Sequence, residues 1–374
     1  MDTRNLLASA IRNAREGLGL TQQALAAAAG FGSLQIVSAI ETGQRDVKAW
    51  ELVGIARALH TSVEALLGLD QPEPARVLWR RGSSGVSGAR EAQLRERAER
   101  FALLEEWCEL PPAEALPEFP FDPRRASFAE AERLALTVSR MLDLGSRPAA
   151  SLLRVLEERF RLKVFYDELG EDESAACSRG AFGAAVLLNA AQAPWRRNFS
   201  LAHELFHLVT WAAVEALWPD DGEPSWTERL ETLADVFASQ LLLPVEEVNA
   251  QLDARTEERD LGPADVIELA REFDVSTEAI AWRIVNLRRR DPEWAKALLG
   301  DAEFRRRDRL TMPARWSRPE VPFPERYRRL ALLAYDADRI SLSRLAEFLE
   351  STIGDVHAML EDAELGQTAA PAAP

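Results

Sequence analysis

The pattern His203-Glu204-x-x-His207 combines residue types and a spacing that suit metal chemistry. It lies within a helical pattern over residues 201–209, and residues four apart share one helix face, so both imidazoles can reach one metal ion. Zn²⁺ would then need a third protein ligand and one position for water, with Glu204 expected on the solvent side of the metal. The same pattern arises by chance in long helices, where both histidines would be ordinary core or surface residues.

A second helical pattern, residues 231–244, offers candidate partners for that metal. Glu231 and Asp235 are again four apart, and this pair resembles the arrangement in gluzincin peptidases. The resemblance implies that Glu231 is the third zinc ligand. It also implies that Asp235 accepts the other imidazole N–H of a zinc-bound histidine and fixes its tautomer. Glu228 is a rival third ligand, but only Glu231 has the four-residue offset to Asp235.

Two short apolar runs upstream, Leu162–Tyr166 and Ala184–Asn189, have the pattern of β-strands. A peptidase of this kind uses an edge strand to hold an extended peptide by adding it to the sheet. The alternative is a small antiparallel sheet that only packs on the helices.

Three segments together resemble the ImmA/IrrE family of zinc metallopeptidases over roughly residues 125–290. The resemblance implies a compact α+β gluzincin-like domain in which both histidines and Glu231 bind zinc and Glu204 is the general base. The family often carries glycine before the second histidine, where this chain has Phe206, which puts the shape of the pocket in question. The segments are Ala184–Asn189, Arg197–His207 and Glu231–Pro244.

Two further residues have open roles. Arg283 is either a stabiliser of the oxyanion or an arginine of a surface or helix pair. Cys177 is either an ordinary loop thiol or a redox-sensitive inhibitor that approaches the zinc.

The N-terminal residues 5–68 have the pattern of five short helices. Thr21, Ser33 and Ser62 are candidate caps, and glycines end the helices. The short turn Gly30–Gly32 between the second and third helices is typical of a helix-turn-helix. We therefore expect a compact helical module at this end of the chain.

This module resembles the XRE (Cro/C1-type) DNA-binding family. The segments that carry the resemblance are Ile11–Arg15, Leu20–Ala26, Ile40–Gly43 and Leu52–Leu59. It implies that Gln22 contacts a phosphate and that an Arg15–Glu41 ion pair is structural. The residues implied to meet base edges in the major groove are Ser33, Leu34, Gln35 and Ser38. The recognition helix has no Lys or Arg, so the alternative is a module kept for dimerisation or protein contacts.

Composition limits the classes of function. The chain has 374 residues and a net charge of −16, which argues against a protein coated in nucleic acid. Residues 1–70 contain six basic and seven acidic side chains, so the N-terminal module is close to neutral. Two cysteines, no long apolar run and no secretory signal favour a reducing cytoplasm and no membrane partner.

The predicted fold class is multi-domain and mainly α. Five segments are expected: a five-helix helix-turn-helix domain (1–70), a linker and helical arm (71–124), an α+β gluzincin-like domain with a small sheet (125–290), a C-terminal helical module (291–366) and a disordered tail (367–374). Glycine and serine in Gly82–Gly88 suggest flexibility, and Glu91–Cys108 is expected as a charged helix.

The sequence thus predicts a DNA-binding transcriptional regulator that carries a zinc-dependent endopeptidase. The family resemblance implies cleavage of an XRE-type repressor, in trans or in the chain itself, during a stress, DNA-damage or mobile-element response. Expected partners are an operator in double-stranded DNA, this protein substrate and a second copy of the chain. Two alternatives stay open: a transcription factor that uses the peptidase fold as a ligand or metal sensor, and a toxin–antitoxin or phage-defence component.

Overall fold

The computed structural model describes residues 3–67, 75–79, 88–170, 173–219, 225–257, 259–288, 290–312 and 323–368. Nineteen helices and four strands lie in these ranges, which confirms the predicted, mainly helical fold class. The chain forms two compact units. The first contains residues 1–77, 82–103 and 180–182, and the second contains residues 78–81, 104–179 and 183–374.

The first unit begins with five short helices. They are α1 (Thr3–Gly17), α2 (Gln22–Ala28), α3 (Leu34–Glu41), α4 (Ala49–Ala58) and α5 (Val63–Leu66). The hydroxyl of Thr21 accepts from the Ala24 N–H at 3.1 Å, and the hydroxyl of Ser62 accepts from the Ala65 N–H at 3.0 Å. These caps satisfy backbone donors that no helical carbonyl can reach. Gly30 makes the turn into α3 with a φ of 76°, a left-handed conformation that favours glycine.

An apolar core holds these helices together. Ile11, Leu25, Val37, Ile40 and Ile55 are at most 1% exposed and come from four of the five helices. Because each helix contributes one apolar stripe, the sequence periodicity predicts both the helices and the core they share.

The segment predicted as a linker contains regular structure. Strand β1 (Val77–Trp79) is followed by the long helix α6 (Gly88–Trp107), close to the predicted Glu91–Cys108. The flexible segment predicted at Gly82–Gly88 lies, apart from its last residue, outside the described residues. Of the predicted disordered tail, residues 367 and 368 are the last residues of a helix, α19, and residues 369–374 lie outside the described residues.

The second unit contains most of the remaining elements. Two helices precede its strands, α7 (Phe128–Leu142) and α8 (Pro148–Glu158). The strands are β2 (Lys163–Asp167), β3 (Ala175–Gly180) and β4 (Gly183–Asn189). Next come α9 (Pro194–Val209), α10 (Trp211–Glu215), α11 (Thr227–Leu242), α12 (Val245–Thr256), α13 (Pro263–Glu272) and α14 (Thr277–Arg288). The last helices are α15 (Pro292–Gly300), α16 (Ala302–Leu310), α17 (Glu325–Asp336), α18 (Leu342–Phe348) and α19 (Ile353–Thr368).

The sheet has the strand order β1-β3-β4-β2. Strand β2 pairs with β4 in parallel, with Lys163 opposite Ala185 and Asp167 opposite Asn189. The predicted Ala184–Asn189 run is therefore an interior strand, and neither an edge-strand role for it nor a purely antiparallel sheet is correct. The physical reason is its composition: an unbroken apolar run is typical of a strand covered on both faces.

Helix α9 packs against β4 and against α11, and α11 packs in turn along α7. Residues 200–209 of α9 are all buried, so this helix is enclosed by its neighbours. No helix among the described residues is both long and apolar enough to cross a membrane.

Candidate metal centre

Helix α9 brings His203 and His207 onto one face, one turn apart. Their side chains are 1% and 2% exposed, and their Nε2 atoms lie 3.2 Å from each other. Two ring nitrogens this close, without a third group between them, need either a shared proton or a common cation. The geometry therefore suits one small ion held by both imidazoles.

Helix α11 places Glu231 against the same two atoms. Its Oε2 lies 3.1 Å from His203 Nε2, and its Oε1 lies 3.2 Å from His207 Nε2. Tetrahedral zinc with ligands at about 2.05 Å has ligand–ligand separations of roughly 3.3 Å, so these three distances fit a zinc ion. Burial opposes ionisation of Glu231, but His207 and His203 outweigh it and hold the pKa of this carboxyl well below its usual range. Glu228 is exposed and is not part of the group.

Asp235 lies one turn further along α11. Its Oδ1 is 2.9 Å from His203 Nδ1, so that ring nitrogen donates its proton to the carboxylate. The Nε2 atom of His203 then keeps a lone pair for the metal. Asp235 is half-exposed, with 41% of its side-chain surface accessible, so it joins the centre to solvent.

Glu204 is fully buried, and neither carboxylate oxygen has a hydrogen-bond partner among the described residues. This differs from the expected solvent-facing position, because α9 is covered along this stretch. Burial raises the pKa of Glu204 even though the two histidines favour its ionised form. Leaving such oxygens without partners is costly, so their presence beside the ligand group fits a site that takes up a metal and its water.

Cys177, expected in a loop, lies in β3 and is completely buried. Its thiol lies beside the Glu204 carboxylate without hydrogen-bond geometry, and burial and this neighbour raise the pKa of the thiol well above its usual range. It is not part of the metal-binding group. Sequence reasoning missed β3, and no apolar alternation in its sequence pointed to it.

Phe206 lies between Glu204 and His207 in the sequence of α9, and its side chain is buried in the core. Its ring packs edge-on against Phe121 at 5.1 Å between centroids and against Phe237 at 5.5 Å. Phe206 therefore supports α9 from behind the metal centre.

Arg283 is hydrogen-bonded to the C-terminal end of α11. Its Nη2 donates to Gln240 Oε1 and to the Leu243 carbonyl, each at 2.5 Å, and it is buried. These contacts satisfy groups at the C-terminal end of α11. The expectation that it stabilises an oxyanion is not supported, and a structural role explains its contacts.

In the first unit, the Arg15–Glu41 pair is present in bidentate form. Arg15 Nε and Nη2 donate to the Glu41 oxygens at 2.6 and 3.0 Å. Gln22 Nε2 also donates to Glu41, at 2.9 Å, so the side chain implied to contact phosphate is engaged within the unit. Burial opposes ionisation of Glu41, but these donors hold its pKa below the usual range.

The start of α3 presents the residues implied to read bases. Ser33 is the N-cap residue, but its hydroxyl makes no capping hydrogen bond, and Leu34 and Gln35 are exposed. Ser38 lies one turn later and is partly exposed. These residues share the outer surface of α3 and are available to a groove.

Two family models match separate parts of the chain. Residues 6–67 match the family model of a helix-turn-helix domain, and residues 157–285 match that of the IrrE N-terminal-like domain, a peptidase family. The chain thus joins an XRE-type helix-turn-helix domain to an IrrE-like domain. No curated protein matches it significantly.

One similar solved structure is a Mycobacterium tuberculosis transcriptional regulator. It is 18% identical over 50% of this chain, with a TM-score of 0.31, which is too low to support an argument. The chain spans 51% of that structure's length.

Proposed function

We propose that this DNA-binding regulator is a zinc-dependent endopeptidase whose substrate is a repressor-type protein. The observation that carries the proposal is the group of two buried imidazoles and one partly exposed carboxylate, with ligand atoms 3.1–3.2 Å apart and the unpartnered carboxylate of Glu204 beside it. His203, His207 and Glu231 would hold the ion. Membership of a peptidase family over residues 157–285 supports the same reaction class.

Zinc, when bound, would polarise the scissile carbonyl and lower the pKa of water towards about 7. Glu204 takes the proton of the attacking water on a carboxylate oxygen and passes it to the leaving amine. Neither of its carboxylate oxygens has a hydrogen-bond partner among the described residues, so both are able to accept this proton. Asp235 would hold His203 in the tautomer whose Nε2 lone pair is free to bind the ion.

The helix-turn-helix domain would bring this activity to an operator in double-stranded DNA. Exposed Leu34 and Gln35 at the start of α3 support direct base contacts, and a homodimer would match paired half-sites. We propose that the substrate is an XRE-type repressor, or the chain itself, and that cleavage belongs to a stress, DNA-damage or mobile-element response. A reducing cytoplasm suits a DNA-binding protein with two free cysteines.

The test compares wild type with Glu204→Gln, both prepared without a His-tag and loaded with zinc. Zinc content is measured first, and new protein N-termini are then profiled after each protein is added to host-cell extract. We expect equal zinc, with new N-termini from a repressor-type protein or from residues 70–123 only in the wild-type sample. If extracts treated with the two zinc-loaded proteins contain the same set of N-termini, proteolysis is refuted and a sensor role is favoured. Absence of zinc would refute the metal site.

A further inference from the structure

Strand β3 is the strand beside Glu204, because it carries Cys177, whose thiol lies against that carboxylate. Strand β4 is already paired on both sides, with β3 and with β2. The outer side of β2 is the opposite edge of the sheet, so an extended peptide that joins the sheet beside the strand carrying Cys177 pairs with the other side of β3. In this structure, the chain's own β1 occupies that side.

Gly180, the last residue of β3, allows a close contact with Ala75. A Cβ atom added to Gly180 would lie 2.9 Å from the Ala75 Cβ, closer than real Cβ atoms approach, and 3.0 Å from the Phe182 ring, tighter than most real contacts. Glycine at this position therefore allows the segment leading into β1 to lie directly on β3. The Ala75 carbonyl is also fixed, because Arg95 Nη1 donates to it at 3.0 Å.

The strand itself is apolar. Val77 is 9% exposed, and Leu78 packs against the core of the second unit, to which it belongs. An extended segment binds a sheet edge through main-chain hydrogen bonds, and pockets for its alternate side chains give specificity.

We propose that β1 is a built-in occupant of the peptide-binding edge of β3, and that it must leave before another extended peptide can bind there. This inference rests on the proposed endopeptidase function, since it assigns the occupant of that site. It implies that the substrate binds as an extended, apolar strand, and that displacement of Leu78 and Trp79 from β3 controls access to Glu204.

The test locks β1 in place or releases it, and measures peptide binding rather than cleavage. The lock is Ala75→Cys with Gly180→Cys, in full-length protein that also carries Cys108→Ser and Glu204→Gln. A small backbone shift brings the two Cβ atoms into the range of about 3.5–4.5 Å that disulfides need. The releasing change is Leu78→Asp, and its matched control is Leu310→Asp, where the native side chain is 71% exposed.

The probe is a fluorescent peptide with the sequence of residues 75–80, titrated into each zinc-loaded protein. Apparent affinity scales with the fraction of molecules whose edge is open. We expect the oxidised lock to bind the probe at least about tenfold more weakly than its reduced form, and Leu78→Asp to bind more tightly than Leu310→Asp. Mass spectrometry verifies the disulfide, and circular dichroism verifies the fold.

Equal affinities in the oxidised and reduced lock, or no probe binding to Leu78→Asp, would overturn the inference. Because Glu204→Gln removes the general base from every sample, these outcomes do not depend on catalysis. The proposed endopeptidase function would instead be refuted if the protein bound no zinc or if no cleavage depended on Glu204. The two proposals can therefore fail separately.

Discussion

Replacement of Asp235 by alanine should weaken zinc binding without removing the site. Loss of a carboxylate that orients a metal-bound histidine costs about 10–100-fold in metal affinity, or roughly 1.4–2.7 kcal/mol. The contact to His203 Nδ1 is short, at 2.9 Å, but 41% of the Asp235 side chain is exposed, so water screens its charge. We therefore expect the lower end, about a tenfold increase in the dissociation constant.

Competition with a chromophoric zinc chelator at fixed pH measures this change. Asp235→Asn should lose less than alanine, because its amide oxygen still accepts the Nδ1 proton. Glu228→Ala is the matched control, since it removes an equal charge from an exposed position of the same helix. Glu231→Ala should abolish tight binding. If Asp235→Ala binds zinc as wild type does, or Glu228→Ala loses as much, Asp235 does not orient His203.

Three further changes probe the core, the ion pair and the recognition helix. Phe206→Ala should destabilise the second unit by about 3–5 kcal/mol in chemical denaturation, because the ring is fully buried; a loss below 1 kcal/mol would contradict its packing role. Glu41 has a folded pKa below its unfolded value, so its stabilising effect is present above the unfolded pKa and is lost as pH falls through the folded one. Glu41→Gln should therefore destabilise the first unit at neutral pH and flatten its acid-side pH profile, whereas an unchanged profile would exclude this linkage. Gln35→Ala should weaken binding to DNA selected by the wild-type chain by about 1–3 kcal/mol in anisotropy titrations, and Gln23→Ala, also exposed, should not.

The helices of the first unit are predictable because their determinants are local. The predicted caps Thr21 and Ser62 each accept a backbone N–H in the first turn of a helix, at the start of α2 and α5. His203, Glu204 and His207 are equally local, since one helical turn fixes their spacing. Their approach to Glu231 depends on how α9 and α11 pack, and the sequence suggested it only through the family resemblance.

Strands β1 and β3 were not predictable for the opposite reason. The β3 sequence, Ala175–Gly180, consists of small and polar residues and a cysteine, with no β-branched or aromatic side chain. Strand β1 is only three residues long and lies in a segment rich in proline and glycine. Both strands exist because of nonlocal pairing, and local propensity carries no information about such partners.

The pairing of β1 with β3 also covers a sheet edge that would otherwise be unpaired. Substrate strands can add only to a sheet edge with unpaired N–H and C=O groups, and such an edge also recruits unrelated chains. Covering it with a short strand of the same chain removes that hazard at a modest energetic cost. On the proposal above, a longer substrate strand forms more main-chain hydrogen bonds with β3 than these three residues do, and displaces them. The glycine at position 180, which admits Ala75 at close range, is therefore expected to matter for access to Glu204 and not only for folding.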